Sequence, residues 1–332
     1  MWRWLMPDWS DRAATSWQTL TGVSRHRMPL RGARIHEPRR VRVVAAWPLS
    51  QVLHAAVLLD AAGIPAGHYA PDAVWRSFRR YRRGDGFVDF PWVGERYFDD
   101  NAWIGLACAQ RALFTDGDVR RTWLHRGEAS LRFVSQGARR GGVLWVEGGD
   151  RLHSCSTGSA GLLAAAVGRA ESGRPRPMAL TCGQFIDDEL LNPDGLVADN
   201  IAPDGQVDPS VFTYNQGLTI QLRIERGDLD GAAALAETVG REFSEQRFWD
   251  HPAAFNAIYC RALLRLDAVR GEQRWRSFVE DYADRFWREG RDQRGLFSGA
   301  GRYDKGFVLD HAAVTGLLAA LALPEERADL LL

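Results

Sequence analysis

Lysine is nearly absent from this chain: Lys305 is the single example among 42 basic residues, and every other one is arginine, a bias that says little about chemistry. Charge of one sign is lacking too. The 42 acidic residues cancel the basic ones, so neither a nucleic-acid track nor an anionic membrane surface is favoured as a partner, and a neutral substrate fits better. No stretch reaches the ~18 consecutive apolar residues of a membrane span. The N-terminal Met1-Trp2-Arg3-Trp4-Leu5-Met6-Pro7-Asp8 has no uninterrupted apolar core of a secretory signal, so a cytoplasmic location is expected. Cysteine is sparse. Cys108, Cys155, Cys182 and Cys260 lack metal-ligand spacing and read as reduced, buried thiols rather than a disulfide framework. No metal and no cofactor are expected. No Ser/Gly/Pro-rich linker divides the chain, so residues 1–332 read as one domain, with 1–40 supplying an N-terminal outer helix and a connecting segment. The oligomeric state is not legible.

Strand-like alternation is almost missing as well. What recurs instead is an apolar stretch of helical period, at intervals of roughly 40–60 residues, beginning near Val43, Asn101, Thr157, Asn215, Asn256 and Asp310. These six stretches are apolar on all sides, as helices buried on every face must be. Several end on the same punctuation, Ala62-Gly63, Asp116-Gly117, Ser172-Gly173, Arg226-Gly227 and Arg270-Gly271, where glycine accepts the left-handed conformation that stops a helix. Between them lie amphipathic stretches such as Val119 to Gln136, Leu229 to Glu245 and Glu272 to Arg288. Six buried helices inside an outer ring, with Trp9 to Thr21 as the last outer helix, describe an all-α (α/α)6 toroid. The inner helices of such a ring all run one way, so their N-termini and the loops before them converge on one mouth.

The mouth residues are therefore the ones that bear on chemistry. Trp47-Pro48 opens the first inner helix, and Tyr97-Phe98-Asp99-Asp100-Asn101-Ala102-Trp103 the second. The third follows Trp145, the fourth opens with Thr213-Tyr214-Asn215-Gln216-Gly217, the fifth with Phe255-Asn256 and the sixth with Asp310-His311. Each of these polar residues alone is equally well read as a helix cap. The Asp99-Asp100 pair goes further, because capping needs one short polar side chain and here a second carboxylate sits among aromatic rings. Two carboxylates in different environments are what glycosidic bond cleavage requires, one ionised beside the sugar carbon and one protonated for the leaving oxygen. Thirteen Trp and fifteen Phe are mostly core filler but also supply flat platforms for sugar faces.

Three segments in order, Tyr97 to Trp103, Gly141-Gly142-Val143-Leu144-Trp145-Val146-Glu147, and Asn192-Pro193-Asp194-Gly195-Leu196 followed by Thr213 to Gly217, resemble glycoside hydrolase family 76, the endo-α-1,6-mannanase family. The resemblance runs from about Trp47 to about Gly316 and implies the same toroid. It implies a retaining hydrolase of α-1,6-linked mannosides, with Asp99 as nucleophile and Asp100 as acid/base. It also implies sugar contacts from Tyr214, Asn215 and Gln216 across the mouth. Trp47, Asn101, Trp103, Trp145 and Asp199 complete the expected binding set, although Trp145 could plug a loop and an Asx-turn explains Asp199 as well. The Asp187-Asp188 pair, on an outer-helix pattern, is expected to be solvated surface without a role.

The stretch His153-Ser154-Cys155-Ser156-Thr157-Gly158 departs from the Asn-rich or Lys-Asn pattern of typical members, which opens the question of a short oligosaccharide or another α-mannoside as substrate. Two rivals remain. A sugar 2-epimerase of the N-acylglucosamine type would use His153 and His311 as a base pair, and a glycan-binding protein would use the same scaffold without turnover. A terpene cyclase is set aside because Trp103 stands where a third carboxylate would hold metal–diphosphate.

Overall fold

The computed structural model describes residues 8–22, 44–297 and 307–332. The initial tryptophans, Lys305 and most of the segment between the first helix and Val44 lie outside the described residues. In chain order the helices are α1 (Trp9–Gly22), α2 (Ala46–Ala61), α3 (Pro71–Ser77), α4 (Phe98–Phe114), α5 (Gly117–Val134), α6 (Ser154–Ser172) and α7 (Pro177–Glu189). They continue as α8 (Thr213–Glu225), α9 (Leu229–Glu242), α10 (Glu245–Asp250), α11 (Ala253–Arg270), α12 (Arg276–Glu289) and α13 (Phe307–Leu321).

The inner ring closes on itself. Helix α2 packs on α4, α4 on α6, α6 on α8, α8 on α11, α11 on α13, and α13 returns to α2. Outside it, α3 lies against α2, α5 against α4, α7 against α6, α9 against α8, α12 against α11, and α1 against α13. This is the (α/α)6 toroid, with α1 as the expected last outer helix. The six inner helices start within a few residues of their expected positions. Their burial on every side follows from having two inner neighbours and one outer one, which leaves no polar face. Gly217 shows how tightly they meet: a Cβ there would stand 2.8 Å from the Tyr259 Cα of α11. The stop glycines Gly63, Gly117, Gly173, Gly227 and Gly271 all hold left-handed φ values between 59° and 78°. No helix among the described residues is long and apolar enough to cross a membrane.

The near absence of strands needs a correction. Hairpins β1 (82–83)/β2 (86–87) and β3 (138–139)/β4 (142–143) follow the outer layer, and β5 (152–153) joins β6 (Ala198–Ile201) and β7 (Val207–Val211) in an antiparallel sheet at the mouth. Strands of two to five residues are too short for alternation to show in a sequence window.

What fixes these loops is a repeated device. In α4, the Asn101 amide accepts from Phe87 N (2.8 Å) and donates to Phe87 O (2.9 Å) and Tyr97 O (2.7 Å). In α6, Thr157 accepts from Val143 N and Ser156 donates to Val143 O, both at 2.9 Å. In α8, Gln216 accepts from Val197 N (2.8 Å) and donates to Val197 O (2.9 Å) and Phe212 O (3.1 Å). In α11, Asn256 donates to Phe248 O (2.7 Å), and in α13 His311 Nδ1 accepts from Phe297 N (2.9 Å). The start of each of these helices holds the backbone of the segment that precedes it, a loop before α4, α6 and α8 and the short helix α10 before α11.

At the opposite end, residues 325–332 close the ring. Gln110 donates to Leu330 O (2.7 Å) and accepts from Leu332 N (2.8 Å), while Arg265 donates to Asp329 O (3.0 Å) and Arg261 to Leu332 O (3.0 Å).

Replacing Gln216 with Ala would leave the Val197 N–H and C=O buried without partners, while Phe212 O would keep only the backbone N–H of residue 216. The expected loss is about 2–4 kcal/mol of unfolding free energy, read from the urea midpoint. A loss under about 0.5 kcal/mol would mean that the clamp does not hold the loop.

Candidate active site

Asp99 and Asp100 occupy the first turn of α4, after Tyr97 in extended conformation. Tyr97, the residue at the N-cap position, makes no side-chain cap bond. Asp99 Oδ2 accepts the indole N–H of Trp145 at 3.2 Å, and its Oδ1 is buried with no protein partner. Burial pushes the Asp99 carboxyl up to about 6, against the pull of the Trp145 N–H, the Asp100 and Asp99 backbone N–H groups and the Cys155 thiol. Asp100 is driven well above the carboxylate range, first by burial, then by the charge of Asp99 and that of Asp89. Near neutral pH the arrangement therefore favours an ionised Asp99 beside a protonated Asp100.

Around them stands a wall of rings. Trp145, 41% exposed, lies between Tyr97 at 5.0 Å and His153 at 5.2 Å, centroid to centroid. Further round the mouth, Tyr214 packs on Phe255 at 4.1 Å, and Phe255 on Trp47 at 5.8 Å. The Trp47 indole N–H is buried without a partner. Asp199 sits on β6; its Oδ1 accepts from Asn215 (3.4 Å), its Oδ2 from Asn200 (2.9 Å), and His153 Nδ1 lies 3.7 Å from Oδ2. Burial lowers the His153 ring below its usual value despite the Asp199 charge, so that contact is polar rather than ionic near neutral pH. The Asn215 Oδ1 is buried and unpartnered. Asp99, Asp100, Trp145, Asp199, Tyr214, Asn215 and Trp47 are thus the expected residues that carry groups at the mouth.

Three expected contacts are placed otherwise. Asn101 and Gln216 are fully buried, and their amides are taken up by the loop clamps, so neither has a donor left for a sugar. Trp103 lies one helical turn deeper than Asp99, 2% exposed in the hydrophobic core, and is no open platform. Asp187 also differs from expectation. It is not loose on the surface but ion-paired with Arg223 (2.7 Å) and Arg226, tying α7 to α8, whereas Asp188 accepts from Gln184 within α7.

Two residues were missed as site residues. Cys155 reads as a plain buried thiol in sequence, yet it lies beside both Asp99 and Tyr214 and acts on the titration of each. Phe255 links the Trp47 and Tyr214 rings; its position at a helix mouth was the available signal. All four cysteines are free and buried. Among the described residues no group of three His, Cys, Asp or Glu is placed to hold a metal ion.

A helical toroid with a carboxylate pair ringed by aromatic side chains at one mouth defines a class that includes sugar-cleaving enzymes. Residues 64–225, a stretch that includes the aspartate pair, match the model of Glycosyl hydrolase family 76. The match is narrower than the span from Trp47 to Gly316 expected above. No curated protein matches the chain. Among solved structures the chain is similar to a family 76 mannosidase from Bacteroides thetaiotaomicron VPI-5482, with 21% identity, 96% of this chain and 98% of that one covered, and a TM-score of 0.82. It is also similar to an inactive variant of the α-1,6-mannanase GH76A of Salegentibacter sp. HEL1_6, with two consecutive aspartates replaced by alanine, in complex with α-1,6-mannotetrose (19% identity, 96% and 99% covered, TM-score 0.74). A D-mannose isomerase shares the fold at 12% identity, 95% and 99% covered, with a TM-score of 0.68. At these identities the likeness is one of fold.

The raised carboxyls set a pH signature. A folded-state value above the unfolded 3.8 means that the stability of the neutral form is complete below about pH 4 and lost as pH rises through about 6 for Asp99, and higher for Asp100. Asp100→Asn keeps the shape and removes the charge. Thermal melts should show its Tm above wild type at pH 8 by about 2–4 °C and no gain at pH 4; equal Tm values at pH 8 would show that the fold does not oppose ionisation of Asp100.

Proposed function

We propose that this chain is a retaining glycoside hydrolase of α-1,6-linked mannosides. The observation that carries the reading is the split environment of two adjacent carboxylates: Asp99 held by the Trp145 N–H and backbone N–H groups, Asp100 kept protonated beside it. In the first step an Asp99 oxygen bonds to the anomeric carbon as the glycosidic C–O bond breaks, and Asp100 gives its proton to the leaving oxygen. In the second, the Asp100 carboxylate takes a proton from water, whose oxygen bonds to the same carbon and releases Asp99. Asn215, Asp199 and Tyr214 stand where hydroxyls of the reacting sugar would be met. The Salegentibacter enzyme, inactive with two consecutive aspartates replaced and in complex with an α-1,6-mannoside, supports both the pair and the substrate class.

The isomerase reading has a fold relative but lacks its second base. His311 is fully buried, with Nδ1 accepting from Phe297 N and Nε2 within 2.8 Å of Ser16 O, so it belongs to the loop clamps.

Wild type, Asp99→Asn and Asp100→Asn would be incubated with α-1,6-mannooligosaccharides while NMR follows the anomer first released. The expected outcome is the α-anomer from wild type and a rate at least about 10³-fold lower in both variants. Release of the β-anomer first would overturn retention, and ketose formation from free mannose would favour the isomerase. The pH profile should fall on the acid side near 6, where Asp99 takes a proton, and on the alkaline side as Asp100 loses one. Trp145→Phe removes a donor to Asp99 and should move the acid limb upward by about half a pH unit or more. An unmoved limb would detach that limb from Asp99.

A further inference from the structure

Just before the aspartate pair the chain makes a tight excursion, Asp89-Phe90-Pro91-Trp92-Val93-Gly94-Glu95. Its tip carries the most exposed large apolar side chains among the described residues, Trp92 at 74% and Val93 at 86%. Trp92 also holds a φ of 74°, in the left-handed region that residues with a Cβ rarely enter. The loop is nevertheless locked. Asp89 N donates to Glu95 O (2.9 Å) and Gly94 N to Phe90 O (3.1 Å), while Asp89 Oδ1 accepts from both Phe90 N and Glu95 N at 2.8 Å. A Cβ on Gly94 would stand 2.0 Å from that same oxygen, so the turn admits no other residue there.

Both stems are tied to the mouth. Asp89 O accepts from Ala46 N (2.8 Å), the first residue of α2 and the neighbour of Trp47. Glu95 accepts the Tyr97 hydroxyl (2.9 Å), and Tyr97 packs on Trp145, the donor to Asp99. The tip is thus a rigid projection of the rim, continuous with the ring wall on both sides.

We propose that Trp92 is a platform for a sugar ring of the glycan outside the reacting subsite, so that the protein discriminates in favour of chains long enough to reach it. The proposal rests on the functional reading above. A bare indole on a strained but braced backbone has no ring partner among the described residues, and the neutral C–H face of a pyranose leaving the aromatic mouth supplies the partner that an aromatic ring favours.

Trp92→Gly tests this without disturbing the turn, because glycine accepts the left-handed φ. In an Asp99→Asn/Asp100→Asn background, calorimetry would compare affinities for α-1,6-mannobiose and α-1,6-mannohexaose with and without the Trp92 change. The expected result is a hexaose-to-biose affinity ratio about five- to tenfold lower in the glycine variant. The same ratio in both proteins overturns the platform. So does a dimer in sedimentation that the change dissolves, or binding to anionic vesicles that it abolishes, with the ratio unmoved; either would give the tip a different occupant. Hydrolysis by wild type with an unmoved ratio sinks the platform alone. No hydrolysis and no binding of either sugar removes the functional reading and the platform with it.

Discussion

The structure depends on one recurring interaction: a polar side chain near the start of an inner helix holds the backbone of the segment leading into it. Such loops cross from the outer layer to the mouth with N–H and C=O groups that helices cannot satisfy, and burying those groups unpaired would cost more than a toroid of marginal stability can absorb. Asn101, Ser156 with Thr157, Gln216, Asn256 and His311 each answer this need. The chemistry of the mouth is what remains after the loops have been secured. Asp99, Asp100 and the Asn215 carbonyl lie outside that set of anchors, and two of their oxygens are buried with no protein partner.

That remainder has an electrostatic consequence. A first helical turn normally favours carboxylates through the dipole and free N–H groups, and Asp99 does gain from both. Burial outweighs the gain, and the second charge beside it makes the doubly ionised pair worse still. The proton that Asp100 keeps is the cheapest relief available to a fold that cannot solvate both groups, and it is also the proton that a leaving glycosidic oxygen requires. Stability is reduced at the place where the proposed reaction occurs, and the clamps around it are what make the reduction tolerable.

Much of this was legible in the sequence. The inner helices announced themselves by being apolar on all sides, and the stop glycines marked the turns between layers. The adjacent Asp99 and Asp100 stood out because capping could not account for two carboxylates. The roles of Asn101 and Gln216 were not legible, for a reason that applies widely: each completes a hydrogen-bond pair with a residue 14 or 19 positions upstream, and a window that reads helical period cannot show which amide faces a loop and which faces solvent. Cys155 was hidden by its type, since a thiol on an apolar helix looks the same whether it touches leucines or a carboxylate. Trp103 was misplaced by proximity. Four residues from Asp99 is one turn down the helix, and in a ring of closely packed helices one turn separates the mouth from the core.

The two ends of the toroid finally differ in kind. At one end residues 325–332 meet Gln110, Arg261 and Arg265, and backbone carbonyls accept from all three side chains, with only the Arg261 Nη2 among their donors left buried and unpartnered. At the other, the loops are braced but the centre is left with unpartnered oxygens, an unpartnered Trp47 N–H and exposed rings. Parallel inner helices make such an asymmetry natural, because N–H groups converge at one end and carbonyls at the other. The carbonyl end is filled by the chain's own arginines and backbone, and the N–H end presents carboxylates, amides and indoles together. A ligand that complements this set must offer hydroxyls to the oxygens and an apolar face to the rings, and a sugar does both.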